Sequence, residues 1–466
     1  MTINSLAFLL FFLPVFVLYF SVCRKHANWQ NVLLLIASYF FYAYANWKAV
    51  PILLVSTIVT YYLGVGIQRA REDNPRKASL LTSLGVWLGI LLLLYFKYLN
   101  FFISSFEDLF TAMGFHVSHH TFKIILPVGI SFFTFKLISY LVEIHRRKMD
   151  AERDFIRFAT YVAFFPTILS GPIDRPKAFL KQLATAHQMN WADIAEGCKR
   201  VLWGMFKKMC VADVICGYTD AVFNNYAHHN ATSLTIAAVL YSFQLYADFS
   251  GYSDMAIGLG RCLGSHFNEN FDHPYISRSI TEFWRRWHIS LGSFFRDYLY
   301  IPLGGNRRHQ ALNILIVWFL TGMWHGASWN FIIWGLYFGI IVMVEKYTLL
   351  KIYDKIPKVF LHLYSIFLFT LGWGIFYFDD LDKMKTLFAS LFGNAGAASD
   401  FTAVSALTNN FWLWIAAIVF AMPVRRLFSN FKGVWYLRAA VAVVILIFSV
   451  ALLVGATNNP FLYFRF

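Results

Sequence analysis

Residues 79–99 read SLLTSLGVWLGILLLLYFKYL, with Lys97 as the single charge. As an α-helix this stretch would be about 30 Å long, the thickness of a bilayer's hydrocarbon core. Arg76 and Lys77 stand just before it, where a cytoplasmic loop would hold them. Similar runs occupy 5–22, 29–47, 50–67 and 123–144. Later ones lie at 233–260, 310–326, 330–347, 359–378, 410–424 and 438–456. The chain therefore reads as an all-α integral membrane protein, polytopic, with one membrane domain over 1–466.

Composition agrees. Of 466 residues 58% are hydrophobic and only 14% are charged, where soluble domains carry about 25%. The 25 Tyr and 15 Trp suit the headgroup interface. The net charge of +15 belongs to loops facing anionic lipid, because the basic residues interleave with the apolar runs. That interleaving excludes a nucleic-acid-binding face. Cys23, Cys198, Cys210, Cys216 and Cys262 include no CxxC pair and read as small apolar residues.

Basic clusters set the orientation. Arg24/Lys25, Arg69/Arg71/Arg76/Lys77, Arg146/Arg147/Lys148, Lys199/Arg200/Lys207/Lys208, the stretch 278–308, Lys351/Lys355/Lys358 and Arg425/Arg426/Lys432 fall on the cytoplasmic side. Arg24 and Lys25 follow the first run, which makes it an uncleaved span with its N-terminus outside. Residues 155–170 break the alternation, being apolar between two basic loops and ending in Ser170-Gly171-Pro172. We read them as a re-entrant hairpin, with a span near 205–221 restoring parity. The expectation is about 11–12 crossings with both termini extracytoplasmic.

The segment 264–308 mixes charge with aromatics. As one amphipathic helix it would place Trp284, Trp287, His288 and Leu291 on one face and let Glu282 reach Arg286. Thr321-Gly322-Met323-Trp324-His325-Gly326-Ala327 carries the sharpest candidate. An ionisable side chain at the end of an apolar helix is costly and is usually kept for function. A neutral imidazole there can take a proton from a hydroxyl during acyl transfer. Gly322 and Gly326 leave that helix face bare for another helix or a substrate chain. His288, in WRRWH, is the second candidate. Arg285, Arg286 and Arg296 around it suit the phosphates of a nucleotide-linked donor, with Trp287 and Trp324 beside the same path. Two readings stand for Asp248 in YADFSGYSD, a capped helix break or the polar lining of a tunnel. His116, His119 and His120 have ligand-like spacing but no nearby Cys or paired carboxylates, so no metal is assigned. No Walker loop, GxSxG or GxGxxG occurs.

Five stretches, LPVGISFFTF (126–135), FFPTILSGPIDR (164–175), QLYADFSGYSDMAIG (244–258), FWRRWHISLGSFFRDYLYIPLGG (283–305) and MWHGASWNFIIWG (323–335), resemble the membrane-bound O-acyltransferases in the family's order. The likeness is to the bacterial branch that serves alginate and peptidoglycan O-acetylation and teichoic-acid D-alanylation. It implies helices ringed about a thinned central tunnel, with re-entrant pieces. By that resemblance His325 matches the catalytic histidine and His288 the second, more variable one. The implied donor is cytoplasmic acetyl-CoA, a substrate and not a bound cofactor. The implied acceptor is a polysaccharide hydroxyl outside, reached through an extracytoplasmic SGNH-type acetyltransferase partner. Phe461-x-Tyr463-Phe464-x-Phe466 resembles an acyl-accepting tail, with Tyr463 as the carrier. A carrier-protein D-alanyl donor, or an acyl transporter without chemistry of its own, are the competing readings.

Overall fold

A computed structural model describes residues 1–115, 121–226, 229–378, 380–392 and 411–422, with isolated positions between 401 and 447. The described residues are all-α. They divide into two compact units that interleave along the chain. One holds Met1–Cys198 with Ala256–Asn268, the other Lys199–Met255 with Glu269–Phe466.

In the first unit, α1 (Leu6–Phe20), α2 (Ala27–Asn46), α3 (Val50–Asp73) and α4 (Pro75–Leu93) follow the expected apolar runs, and α5 (Leu99–Ala112) lies where none was expected. Two of the longer stretches, Ala27–Asp73 and Pro75–Ala112, are long and apolar enough to cross a membrane. Their outward faces are apolar, with Leu10, Ile36, Val55, Leu84 and Leu91 exposed, while Gln30, Asn31 and Thr57 are buried. Apolar outside and polar inside is the arrangement that lipid favours. Local caps set the ends. Asn74 accepts the Lys77 N–H at 3.0 Å, and Pro75 opens α4 behind it.

One expected run is corrected here. The run at 123–144 is helical only from Ile130, in α6 (Ile130–His145), because Pro127 and a left-handed Gly129 (φ 72°) stop the helix from starting sooner. The apolar stretch 155–170 is helical only in α7 (Phe155–Ala163), capped by Asp154. Residues 164–171 then turn, and all are buried. Irregular backbone of this kind needs internal partners. Phe165 N–H donates to Ser38 Oγ at 3.1 Å, and the buried Lys136 ammonium donates to Tyr161 O at 3.2 Å and Thr167 Oγ1 at 3.0 Å. Two more helices follow, α8 (Pro176–Leu183) and α9 (Trp191–Phe206), of which only Trp191–Cys198 belongs to this unit.

The second unit contains α10 (Asp213–Asn224) and most of α11 (Ala231–Cys262). Two short helices come next, α12 (Ile280–Arg286) and α13 (Ile289–Phe295), then α14 (Gln310–His325) and α15 (Trp329–Tyr347). Beyond them lie α16 (Leu349–Ile352), α17 (Lys358–Tyr377), α18 (Leu381–Phe392) and α19 (Phe411–Ala421). Trp329–Lys355 and Lys358–Tyr377 are the stretches here long and apolar enough to span. Lys207 and Lys208, expected among loop charges, instead lie buried on a π-helical turn, Lys207–Ala212, ahead of α10. The expected span at 438–456 and the tail carrying Tyr463 lie outside the described residues.

Candidate active site

The short helix α12 is held from two sides. Ser279 caps it by accepting the Glu282 N–H at 3.0 Å. The fully buried Glu345 carboxylate, from α15, accepts Ile280 N–H and Thr281 N–H at 2.7 Å each. A carboxylate at a helix start meets both the orphan donors and the positive end of the dipole. Replacing it with an apolar residue would leave two buried N–H groups without acceptors, at roughly 1.5–3 kcal/mol for each charge-assisted bond lost. Glu345→Leu is therefore expected to lower the melting temperature in detergent by several degrees and cut activity with it. Glu345→Gln, which keeps one oxygen, should lose less. An unchanged melting temperature in Glu345→Leu would refute this anchoring.

The chain does not continue α12 as one amphipathic helix. It breaks at Trp287-His288, and His288 adopts a left-handed conformation, φ 44°, ψ 54°. For a residue with a Cβ this costs on the order of 1–3 kcal/mol and persists only where the surroundings impose it. Three contacts do so. Asp272 N–H donates to Arg286 O and Ile289 N–H to Asn270 O, both at 2.9 Å. His288 Nδ1 lies 3.1 Å from Asn270 Oδ1. The predicted shared face of Trp284, Trp287, His288 and Leu291 is thereby corrected, since the kink turns His288 away from the register of α12. The Glu282–Arg286 pair does form, at 3.0 Å.

His325 ends α14, and its placement comes from how closely α14 and α15 approach. A Cβ on Gly322 would sit 2.3 Å from Phe331 O, and one on Gly335 2.3 Å from Trp318 O. The bare face read in the sequence is thus used, and its occupant is the α15 backbone. Gly326 lies beyond the helix, against the Phe331 ring. His325 is 7% exposed. Its ring meets Trp334 of α15 at 4.8 Å and Phe376 of α17 at 5.2 Å, both edge-on.

Trp324 links the two histidines. Its ring centroid is 4.9 Å from that of His325 and 5.9 Å from that of His288. Phe249 of α11 closes the other side of His288 at 4.7 Å. Burial pushes the His288 imidazole down to about 3, so it stays neutral through the physiological range. Two imidazoles near one indole, 37 residues apart in sequence but both buried, are groups able to move protons in acyl transfer.

The other predicted residues divide. Arg285 is exposed on α12. Arg286 is held by Glu282 and by Asp272 at 3.1 Å, and Arg296 by Asp297 at 2.8 Å. Trp287 is buried in the aromatic core, 4.9 Å from Trp373 and 5.1 Å from Phe271. Asp248 sits within the uninterrupted helix α11, which removes the helix-break reading. Its carboxylate takes the Lys208 ammonium at 2.7 Å, both side chains buried, and Lys208 also reaches Asp213 at 2.7 Å. Asp254 likewise holds Lys207 at 2.7 Å and Arg200 at 2.9 Å. Sequence reading missed Asn270 and Glu345, whose partners lie far along the chain. His116, His119 and His120 lie outside the described residues, among which no three His, Cys, Asp or Glu side chains converge as metal ligands.

The described residues are thus all-α with apolar outward faces and two buried histidines near one indole. Residues 39–360 match the model of the membrane-bound O-acyltransferase family. The chain is 41% identical over 403 residues to a protein of Azotobacter vinelandii named "Probable alginate O-acetylase AlgI", covering 84% of this chain and 78% of that one. It is 31% identical over 430 residues to the peptidoglycan O-acetyltransferase of Helicobacter pylori, covering 85% and 80%. Against the teichoic acid D-alanyltransferase of Bacillus subtilis it is 30% identical over 256 residues, covering 52% and 64%. The chain belongs to the membrane-bound O-acyltransferase family. It is a multi-pass membrane protein and an O-acyltransferase.

Proposed function

We propose that this chain moves an acetyl group from cytoplasmic acetyl-CoA across the membrane for O-acetylation of an extracytoplasmic polysaccharide, an alginate-like exopolysaccharide or peptidoglycan. The observation that carries the reading is the pair of buried histidines whose rings both lie near that of Trp324, in a chain whose relatives at 41% and 31% identity are named for O-acetylation. In this reading His325 is the general base. It takes the proton of an acceptor hydroxyl as the oxygen attacks the thioester carbonyl. The carbon–sulfur bond then breaks and the thiolate leaves as CoA, reclaiming the proton from the imidazolium. His288, near the same indole, assists. Arg285, exposed on α12, with Arg286 and Arg296 nearby in sequence, would meet the donor's phosphates.

The acceptor we assign first is Tyr463. An ester on that phenol would split one difficult transfer into two and spare CoA the crossing. An SGNH-type partner outside would pass the acetyl group on to the polymer. The interleaving of the two units supports treating 1–466 as one catalytic domain. The basic clusters support a bacterial cytoplasmic membrane with both termini outside.

Tyr463→Phe is expected to reduce polymer acetylation below detection while the protein is made and inserted normally, read as ester-bound acetate on the extracted polysaccharide. Normal acetylation in that variant would remove the relay. A wild-type protein that ignores acetyl-CoA but discharges a D-alanyl carrier thioester would replace acetyl by D-alanyl as the group moved.

A further inference from the structure

We infer that Asn270 is a positioning residue whose side-chain carbonyl oxygen fixes His288 as its Nδ1–H tautomer, leaving the lone pair on Nε2 to act in acyl transfer. The inference rests on the reading that His288 takes part in that reaction.

The argument begins with the amide's orientation. Ser290 N–H, which can only donate, points at Asn270 Oδ1 from 3.2 Å, so the atom facing it must be the oxygen. Ser290 Oγ donates to the same oxygen at 2.9 Å. On its other side the amide nitrogen, Nδ2, donates to Ser253 Oγ at 3.1 Å. The amide is thus held at both ends and cannot flip without setting Nδ2 against the Ser290 N–H.

His288 Nδ1 lies 3.1 Å from this fixed oxygen. An amide oxygen only accepts, so Nδ1 must carry the hydrogen. The Ser290 hydroxyl is 3.5 Å from Nδ1 and closer to Asn270, so its proton goes to the amide oxygen. A neutral imidazole protonated at Nδ1 presents its basic lone pair at Nε2, the ring edge away from Asn270. The opposite tautomer would set the Nδ1 lone pair against the Asn270 oxygen lone pairs and place a hydrogen where the assisting lone pair is wanted.

The backbone enforces the same geometry. The Ile289 N–H to Asn270 O bond and the left-handed turn at His288 bring the ring to the amide. Asn270 is 1% exposed, Ser253 and His288 2% each, so water does not compete for these bonds. Orienting a histidine through its second nitrogen is how carboxylates and carbonyls support catalytic and metal-binding imidazoles elsewhere. Here an amide does so without adding charge.

The test compares Asn270→Leu, Asn270→Asp and His288→Gln as purified full-length protein, by CoA release across a range of acetyl-CoA concentrations. Asn270→Leu fills the space without an acceptor. It should lose on the order of 100-fold in kcat with KM unchanged, the size of a misplaced group that assists proton transfer. Asn270→Asp, which restores an acceptor oxygen, should recover most of that loss. Wild-type kcat in Asn270→Leu, or an Asn270→Asp as slow as Asn270→Leu, would overturn the inference. Full activity in His288→Gln would instead overturn the reading of His288 on which it rests. Should Asn270→Leu fail to fold, the wild-type protein still decides. In a 15N-histidine spectrum, the signals missing from His288→Gln should show a protonated Nδ1 and a bare Nε2. The reverse pattern would refute the assignment.

Discussion

His325→Ala is expected to lower acyl transfer by at least about 1000-fold, because the variant loses the base and retains only binding and proximity. The fold should survive. The imidazole lies against the rings of Trp324, Trp334 and Phe376, and trimming it leaves a cavity at the end of α14 without touching the close backbone approach of α14 and α15 at Gly322 and Gly335. A cavity of that kind costs a few kcal/mol at most, by analogy with other large-to-small core changes. Expression, detergent melting temperature and CoA release measured together separate lost chemistry from lost protein. Near-normal CoA release would mean that His325 is structural and that the base lies elsewhere.

Gly335→Leu is expected to act through the same site from a position that cannot reach any substrate atom. A Cβ there would lie 2.3 Å from Trp318 O and 3.0 Å from Gly322 Cα, and both obstacles are backbone. Neither can yield by a rotamer change, so α14 and α15 must separate. The displacement would break the edge-on contact of Trp334 with His325 and the tilted contact of Trp318 with Phe338, on both of which Trp284 of α12 packs edge-on. Overpacking usually costs about 1–3 kcal/mol, and more where backbone is the obstacle. We expect little folded protein and less than a tenth of wild-type activity per folded molecule. Gly335→Ala should show a weaker form of the same loss. A stable, active Gly335→Leu protein would show that the helix approach is not what places His325.

How much of this was legible in the sequence varies with how local the cause is. The spans α1 to α4 follow from apolar length and flanking charge, which act within about 20 residues of themselves. The capped starts at Asn74 and Ser279 are local too. His325 stood out because an ionisable side chain beside glycines in an apolar helix is rare whatever surrounds it. The kink at His288 did not show. WRRWHIS contains neither Gly nor Pro, and the left-handed turn is imposed by Asn270, which lies 18 residues earlier. Asn270 itself gave no signal, since an asparagine in a polar loop is ordinary until its partners are known. Asp248 misled in a related way. Its carboxylate looked costly enough to break a helix, yet α11 runs through it because Lys208, 40 residues away, neutralises it. Glu345 gave no signal either, since it anchors α12 across 65 residues of sequence. Pairings across such distances leave no periodic trace.

The most direct measurement is intact mass and peptide mapping of the purified protein after incubation with acetyl-CoA labelled in the acetyl group, in wild type and His325→Ala. The account predicts one labelled acetyl group on the peptide holding Tyr463 in wild type, an equal amount of CoA released, and neither in His325→Ala. Label and CoA release that persist in His325→Ala, or a wild-type protein that takes no label and releases no CoA even with its polymer acceptor and extracytoplasmic partner present, would contradict it.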